Sequence, residues 1–492
     1  MRVYTNLISF RSETIDSFIF INALCFFLVS LFVSIINFDN KDLIFFVPLI
    51  YFIFSSYFSM MLSLNGRILD PLNWFLFGTS FFLGFGVFLG IFNFQEIFRV
   101  NRDMIEKINL MNSLSMLVVL TVYLKLKKFS KKRIENNSER KIYSGYLFHL
   151  IALLILTYVT LNIIFLTSEV DILFQSFMNN FGAFIPSLVF LMFYFFGKYN
   201  NYYKTVLFLI LILCLFYSLV MTTKLQFILI MLAALLPGLV KNKSLSRLTA
   251  KISIIPIVYL IILILTAFAR DINHNRTDLS FFQRASSIGI VADSFFTDKK
   301  FKSGYSSASK NNLQPYKNVR EDILNSGSYL SNVLMRFDVF NIQGYLITKY
   351  DSGKNGSSLD NFWSALIPRI LWKEKPVVTD MALSLNDEIF QNEEMKSSIA
   401  PTFIAEAYWN YGFTGVVAIS VYIGILLNLF HRWYSDRQNF FAFAIIFFPL
   451  IKDLSLVESW IVPTYIAGLI KIIIIYYLIL SLTWVLNKFE KQ

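Results

Sequence analysis

Four polar residues, Ser398, Thr402, Glu406 and Asn410, recur every four positions along an otherwise apolar stretch, SSIAPTFIAEAYWNYGFTG, from Ser397 to Gly415. On a helix begun at Pro401, where a missing N–H costs nothing, that spacing makes one polar stripe beside Ile399, Phe403, Ile404, Ala407 and Trp409. Gly412 and Gly415 then permit a break before the chain continues. The stretch lies next to long apolar runs. A carboxylate near membrane depth is costly to keep there and points to function. The chemistry open to Glu406 is that of a base, or a hydrogen-bond acceptor, toward a hydroxyl group. The structural alternative is a glutamate paired with a nearby cation.

Candidates for such cations precede the stripe. Pro368 and Pro376 bracket Arg369, Lys373 and Lys375 in IPRILWKEKP, with Trp372 among them. Proline stiffens a short turn, and arginine offers a planar fork where lysine offers a point charge. Three cations on that turn suit a phosphate-bearing lipid headgroup, or an interfacial anchor. Further upstream, GSYLSNVLMRFDVFNIQGYLITKY predicts a helix from about Tyr329 to Tyr350. Val333, Phe337, Phe340 and Leu346 fit its buried stripe, and Asn332, Arg336 and Gln343 share a second face. Asp338 stands two residues from Arg336 and does not face it on a regular helix. Arg270, His274 and Arg276, in ARDINHNRTDLSFFQR, either anchor headgroups or bind a ligand. His149, inside an apolar run, reads as a histidine satisfied between helices. No paired carboxylates of metal-binding type stand out, since Asp351 to Asp360 is Gly- and Ser-rich and lacks them. The expectation is therefore no metal and no cofactor, with cations in their place.

The elements that must position these residues are apolar. Of 492 residues, 56% are hydrophobic, 17% aromatic and only 15% charged, against roughly 25% charge in a soluble domain. Some 20 apolar residues cross a bilayer as a helix. Runs of that kind occupy 17–37, 43–63, 72–94, 107–126, 143–167, 181–197, 205–221, 225–240, 252–269, 412–430, 439–454 and 460–486. The expected fold is an all-α integral membrane protein of about twelve transmembrane helices. Three regions follow: helices 1–9 over 1–269, a large external loop with short helices over 270–397, and a re-entrant or interfacial helix with the last spans over 398–492. Gln95–Lys107 adds an expected short interfacial helix, with Phe98 and Ile105 on one face.

The net charge of +12 does not point to nucleic acid. Eight Lys/Arg cluster in Lys125–Lys141 and four in Lys241–Lys251. Both clusters fall in the cytoplasm if the N-terminus does. Arg270–Ser397 then lies outside, and the C-terminus is cytoplasmic. Cys25 and Cys214 both lie in apolar runs and suggest neither a disulfide nor a zinc site. No internal repeat with matched broken helices is visible. That favours an enzyme over a carrier, because many transporters are built from such repeats.

In this order, the Arg-Phe-Asp of Arg336–Asp338, the IPR-LW--KP of Ile367–Pro376 and the P---AE-YWN-G--G of Pro401–Gly415 resemble the Wzy-type O-antigen and oligosaccharide-repeat-unit polymerases. The resemblance implies a GT-C-like bundle in the bacterial inner membrane. The implied reaction joins a growing glycan on undecaprenyl pyrophosphate to the next lipid-linked repeat unit, at the outer face of that membrane. For that reaction the chemistry of the residues suggests roles: Glu406, Arg336 and Asp338 in catalysis, with Glu406 first among Glu406, Asp338 and His274 as a base toward the attacking hydroxyl. Arg369, Lys373, Lys375, Arg270, Arg276, His274, Thr402, Tyr408 and Asn410 would bind the substrate or its pyrophosphate. Expected partners are the lipid-linked glycans, the bilayer, a chain-length regulator and a flippase. An O-antigen ligase has similar architecture and donor chemistry, and a flippase or other transporter has a similar number of spans.

Overall fold

The computed structural model describes residues 12–35, 42–93, 102–130, 145–165, 178, 181–196, 201–220, 224–241, 339–360, 362–363, 367, 372, 385, 400–436, 439–455 and 457–489. Among them the chain is almost wholly helical. Seven helical stretches are long and apolar enough to cross a membrane: Thr14–Ile35, Phe46–Arg67, Pro71–Leu89, Asp103–Lys128, Asn201–Ser218, Phe403–Ser435 and Ile461–Ser481. Three more, Phe148–Ile163, Ile185–Phe196 and Leu225–Gly238, are apolar but shorter. Each expected span falls on a helix except 252–269, which lies outside the described residues. The chain is a helical membrane protein, and it divides into two compact units.

One unit comprises 1–140 and 334–492. Its elements are α1 (Ser12–Ile35), α2 (Asp42–Leu62) with a π-turn at Ser63–Arg67, α3 (Pro71–Thr79), a second π-turn (Ser80–Gly86), α4 (Val87–Asn93) and α5 (Arg102–Ser130). After the other unit come α10 (Phe340–Asp351), α11 (Phe403–Ser435), α12 (Phe440–Ser455), a π-helical stretch (Ile461–Gly468) and α13 (Leu469–Phe489). At the centre α5 and α11 lie side by side and run the same way. Ser115 Oγ meets Ser420 Oγ at 2.7 Å, and Asn428 Nδ2 donates to the Tyr123 carbonyl at 3.4 Å. Small and hydrogen-bonding residues are what close helix packing in a bilayer uses, because apolar side chains gain little by leaving lipid. Aromatic contacts join the remaining helices: Phe26 stacks on Tyr51 at 4.4 Å and Trp433 on Tyr476 at 3.9 Å.

Helix α5 starts at Arg102 and continues unbroken to Ser130. Ile105 and Lys107 therefore belong to the first turns of a long helix and not to a separate interfacial one, while residues 94–101 lie outside the described set. The expected helix ending near Tyr350 is present as α10. Its Phe340 and Leu346 are buried as the periodicity predicts, and the positions before Val339 lie outside the described residues.

The other unit spans 141–333. Its described helices are α6 (Gly145–Phe165), α7 (Ile185–Phe196), α8 (Asn201–Val220) and α9 (Lys224–Lys241). Phe148 anchors α6 against Phe196 and Tyr203, at 5.1 and 4.7 Å between rings. His149 is not satisfied between helices. It is exposed, with its ring 6.3 Å from that of Tyr202, because Phe148 takes the inward-facing position beside it.

Candidate functional site

Helix α11 is two helices joined at a reversal. Tyr411 leaves helical geometry and Gly412 adopts φ 60°, ψ −149°, a region open to glycine alone. A Cβ at Gly412 would lie 2.6 Å from Tyr350 Oη, and one at Gly415 would overlap the Ala407 carbonyl. Residues eight apart in a continuous helix are separated by about 12 Å along its axis. The contact between 407 and 415 therefore means that the chain folds back. Residues 403–410 form a half-helix lying against the span that follows, and the glycine spacing of the sequence accounts for the turn.

The start of the half-helix meets a second break. Helix α12 has 16 residues, about 24 Å at 1.5 Å each, and so stops short of a ~30 Å hydrocarbon layer. The chain is then non-helical from Val457 to Trp460. Thr402 pairs with Glu458 in an antiparallel bridge, and Phe403 N donates to the Val457 carbonyl at 3.3 Å. Thr402, Phe403, Val457, Ser459 and Trp460 are all buried. Irregular backbone inside an apolar layer is tolerated only where protein encloses it and satisfies its polar groups. Here two breaks satisfy one another.

Three members of the predicted stripe lie within this joint. Thr402 caps the half-helix, its Oγ1 accepting from Ala405 N at 3.1 Å and from Gln343 Nε2 at 2.9 Å. Gln343 in turn exchanges 3.4 Å hydrogen bonds with Asn112 of α5. Glu406 is fully buried, and both its oxygens are engaged. Oε1 accepts from Ser358 Oγ at 2.7 Å, and Oε2 accepts from Ile461 N at 2.6 Å. Ile461 opens the last helical element, so its amide has no partner within that helix, and a carboxylate at a helix N-terminus is favourably placed. Asn410 Nδ2 donates to Ser358 Oγ and to the Glu406 carbonyl, each at 2.8 Å, while its Oδ1 accepts from Leu359 N at 3.3 Å. The stripe is thus closed by partners from α10, the segment after it, and the start of the last helix.

At the rim of this joint is a charged pair. Lys107 Nζ lies 2.7 and 2.6 Å from the two oxygens of Asp351. Tyr408 Oη donates to Asp351 Oδ1 at 3.2 Å, and Trp409 Nε1 donates to the Lys354 carbonyl at 3.1 Å. The Tyr408 and Trp409 bonds tie the half-helix to the end of α10 and the turn after it.

A second polar network gathers at the opposite end of α5 and α11. Arg67 Nη1 donates to Asp16 at 2.7 Å, Arg67 Nε donates to Asp70 at 2.9 Å, and Lys127 Nζ bonds the other Asp16 oxygen at 2.5 Å. His431 Nδ1 lies 3.2 Å from Asp70 Oδ2. Asp70 also caps α3 through Leu72 N at 3.1 Å. Burial alone would raise the Asp70 carboxyl. The Arg67 guanidinium outweighs it, aided by His431, and holds the carboxyl well below the usual carboxylate range.

Of the site residues expected from the sequence, the structure brings Glu406, Thr402 and Asn410 into one network, with Tyr408 at its rim. Arg336, Asp338, Arg369, Lys373, Lys375, Arg270, Arg276, His274 and Ser398 lie outside the described residues. Sequence reasoning passed over Ser358, Asn112, Lys107 and Asp351. Ser358 and Asp351 sit in the Gly- and Ser-rich stretch that holds no carboxylate pair, and nothing local marks Asn112 or Lys107. Among the described residues no group of three or more His, Cys, Asp or Glu gathers as metal ligands.

Residues 331–482 match a family described as a domain of unknown function (DUF8712). That stretch contains Arg336, Asp338, the cationic turn, the half-helix and the break before the last helix, and it excludes Arg270, His274, Arg276 and Lys107. No curated protein and no solved structure matches the chain.

Proposed function

We propose that this chain is a membrane-embedded glycosyltransferase that polymerises oligosaccharide repeat units carried on undecaprenyl pyrophosphate. What carries the reading is the half-helix 403–410. This short helix, with Glu406 and Asn410 buried along it and Thr402 buried at its cap, follows a long hydrophilic stretch of sequence, at the place and in the order of the motifs that resemble Wzy-type polymerases. Discontinuous helices that meet inside a membrane are a recurrent way of building substrate sites there.

The chemistry suits the residues. A glycosyl donor leaving as lipid pyrophosphate develops charge at the departing oxygen, and cations aimed at that charge lower the barrier. Arg336, Arg369, Lys373 and Lys375 are the candidates, with Arg270, His274 and Arg276 as further ligands. Asp338 and Glu406 were the carboxylates open to acid–base work. With both oxygens of Glu406 engaged, its part is to position the half-helix that carries Tyr408 and Asn410. The proposed fold is a GT-C-like bundle of about twelve spans in the bacterial inner membrane. Both termini are cytoplasmic, Arg270–Ser397 faces outward, and a chain-length regulator and a flippase are partners.

The test is the glycan made by a deletion strain and by proteoliposomes holding the purified chain and lipid-linked repeats. Polymerisation predicts loss of every chain beyond one repeat in the strain, and a ladder of lengths in the liposomes. Loss of all attached repeats indicates a ligase, and loss of outward-facing lipid-linked units a flippase. A cytoplasm-only reporter fused at Ser307 is expected to be inactive; activity there contradicts the orientation. Elongation is also expected to persist in excess chelator, and its restoration only by magnesium would overturn metal independence.

A further inference from the structure

Lys107, Asp351 and Tyr408 come from α5, the end of α10 and the half-helix, and meet beside the Glu406 joint. Lys107 Nζ sits within 2.7 Å of both Asp351 oxygens and 5.1 Å from the centre of the Tyr408 ring. The two charged side chains retain 29% and 43% of their accessible surface, whereas Tyr408 is 3% exposed. A buried aromatic wall thus backs an open ion pair. Pairs this exposed add little to stability. The same fold shows at its other end what fastening looks like: there, Asp16 and Arg67 are each only 10% exposed and Asp70 not at all. Glu406, by contrast, has no surface and no free oxygen from which to reach a substrate.

We infer that Lys107 and Asp351 form the docking site for the diphosphate headgroup of a lipid-linked glycan, with Asp351 accepting the proton in the transfer. The inference rests on the glycosyltransferase reading. Lys107 stands one turn inside the apolar stretch Asp103–Lys128, near its end. A lysine ammonium is a point charge on a flexible stem, so it can exchange a carboxylate for a phosphate without moving the backbone. The resting pair is self-masked. When the diphosphate takes Lys107, Asp351 keeps only the Tyr408 hydroxyl and faces the acceptor sugar. In the transfer, the acceptor hydroxyl oxygen bonds to the anomeric carbon, and the bond from that carbon to the diphosphate oxygen breaks. Its electron pair leaves with the lipid diphosphate beside Lys107. The hydroxyl proton passes to Asp351 and then to solvent.

The experiment uses the full-length protein in nanodiscs, with Lys107→Gln, Asp351→Asn and the double exchange Lys107→Asp with Asp351→Lys. Thermal unfolding is followed with farnesyl diphosphate, inorganic diphosphate and farnesol, and elongation is measured on lipid-linked repeats. Farnesyl diphosphate is expected to stabilise the wild type, with at least tenfold weaker binding in Lys107→Gln and in the exchange. Asp351→Asn is expected to bind and to lose about 10²–10⁴-fold in elongation rate. Equal stabilisation by inorganic diphosphate overturns the lipid headgroup in favour of free diphosphate. Stabilisation by farnesol alone overturns the phosphate site. An exchange variant that elongates at the wild-type rate makes the pair structural and overturns the inference while leaving the polymerase intact; if it does not fold, wild-type elongation by Lys107→Gln has the same meaning. Lys107-dependent binding by a wild type that forms no glycosidic bond upholds the docking site and overturns the transferase with the role of Asp351.

Discussion

The two ends of the α5–α11 pair solve the same problem in opposite ways. Lys107 and Lys127 are twenty residues apart on one unbroken helix, about 30 Å at 1.5 Å each, which is the thickness of a hydrocarbon core. At the Lys127 end, opposite charges pair with one another: Asp16 lies between Arg67 and Lys127, and Asp70 pairs with Arg67, with the His431 ring beside it. At the Lys107 end, one buried carboxylate is held by a hydroxyl and a backbone amide, and the charged pair is left at the surface. Charges spent on each other fasten helices. At the other end a carboxylate held by neutral donors fixes the half-helix, and the ion pair beside it stays open to solvent.

The largest expected effect breaks the fastened end. Asp70→Asn removes the anion that Arg67 and His431 share and leaves a buried cation short of a partner, at a cost of about 3–5 kcal/mol. Detergent-solubilised protein should show a sharply lower folded yield and Tm, with unchanged elongation per folded molecule. Glu406→Gln comes next. It preserves shape and replaces a charged acceptor with an amide, losing about 1.5–3 kcal/mol of hydrogen bonding to Ser358 and Ile461. The account expects reduced thermal stability together with shortened glycans. Normal stability with only single repeats would instead make Glu406 the base.

Gly412→Ala tests the reversal itself. Forcing a side chain into that backbone region costs about 1–3 kcal/mol, and the new methyl group meets Tyr350 Oη. Tyr350→Phe in the same chain should remove the closest part of the contact, leaving the ring Cζ at 2.9 Å and the backbone penalty. Thermal unfolding of the single and double variants separates the two. The smallest effect is expected from Ser358→Ala, about 1 kcal/mol, because Glu406 retains the Ile461 amide and Asn410 retains the Glu406 carbonyl.

What was legible in the sequence is what local spacing encodes. Apolar runs mark the helices, the four-residue repeat of Thr402, Glu406 and Asn410 marks one face, and Gly412 with Gly415 marks the reversal. Partners are a different matter. Gln343 reaches Thr402 across 59 residues, Lys107 reaches Asp351 across 244, and Lys127 reaches Asp16 across 111. No period joins such positions, and only the packing of α5 against α10, α11 and α1 brings them together. Lys127 illustrates the limit: within a basic cluster it reads as a topology signal, yet it is mostly buried against Asp16. The pairing of Thr402 with Glu458 was equally invisible: the polar gap between the runs 439–454 and 460–486 marks a break, but nothing local names the partner that meets it.

The most direct test of the contrast between the two ends measures elongation per folded molecule for Asp70→Asn and Lys107→Gln in parallel preparations. The account predicts that Asp70→Asn loses protein and keeps its specific rate, while Lys107→Gln keeps its protein and loses its rate. A Lys107→Gln protein that elongates normally, beside an Asp70→Asn protein that is well folded but inactive, would contradict it.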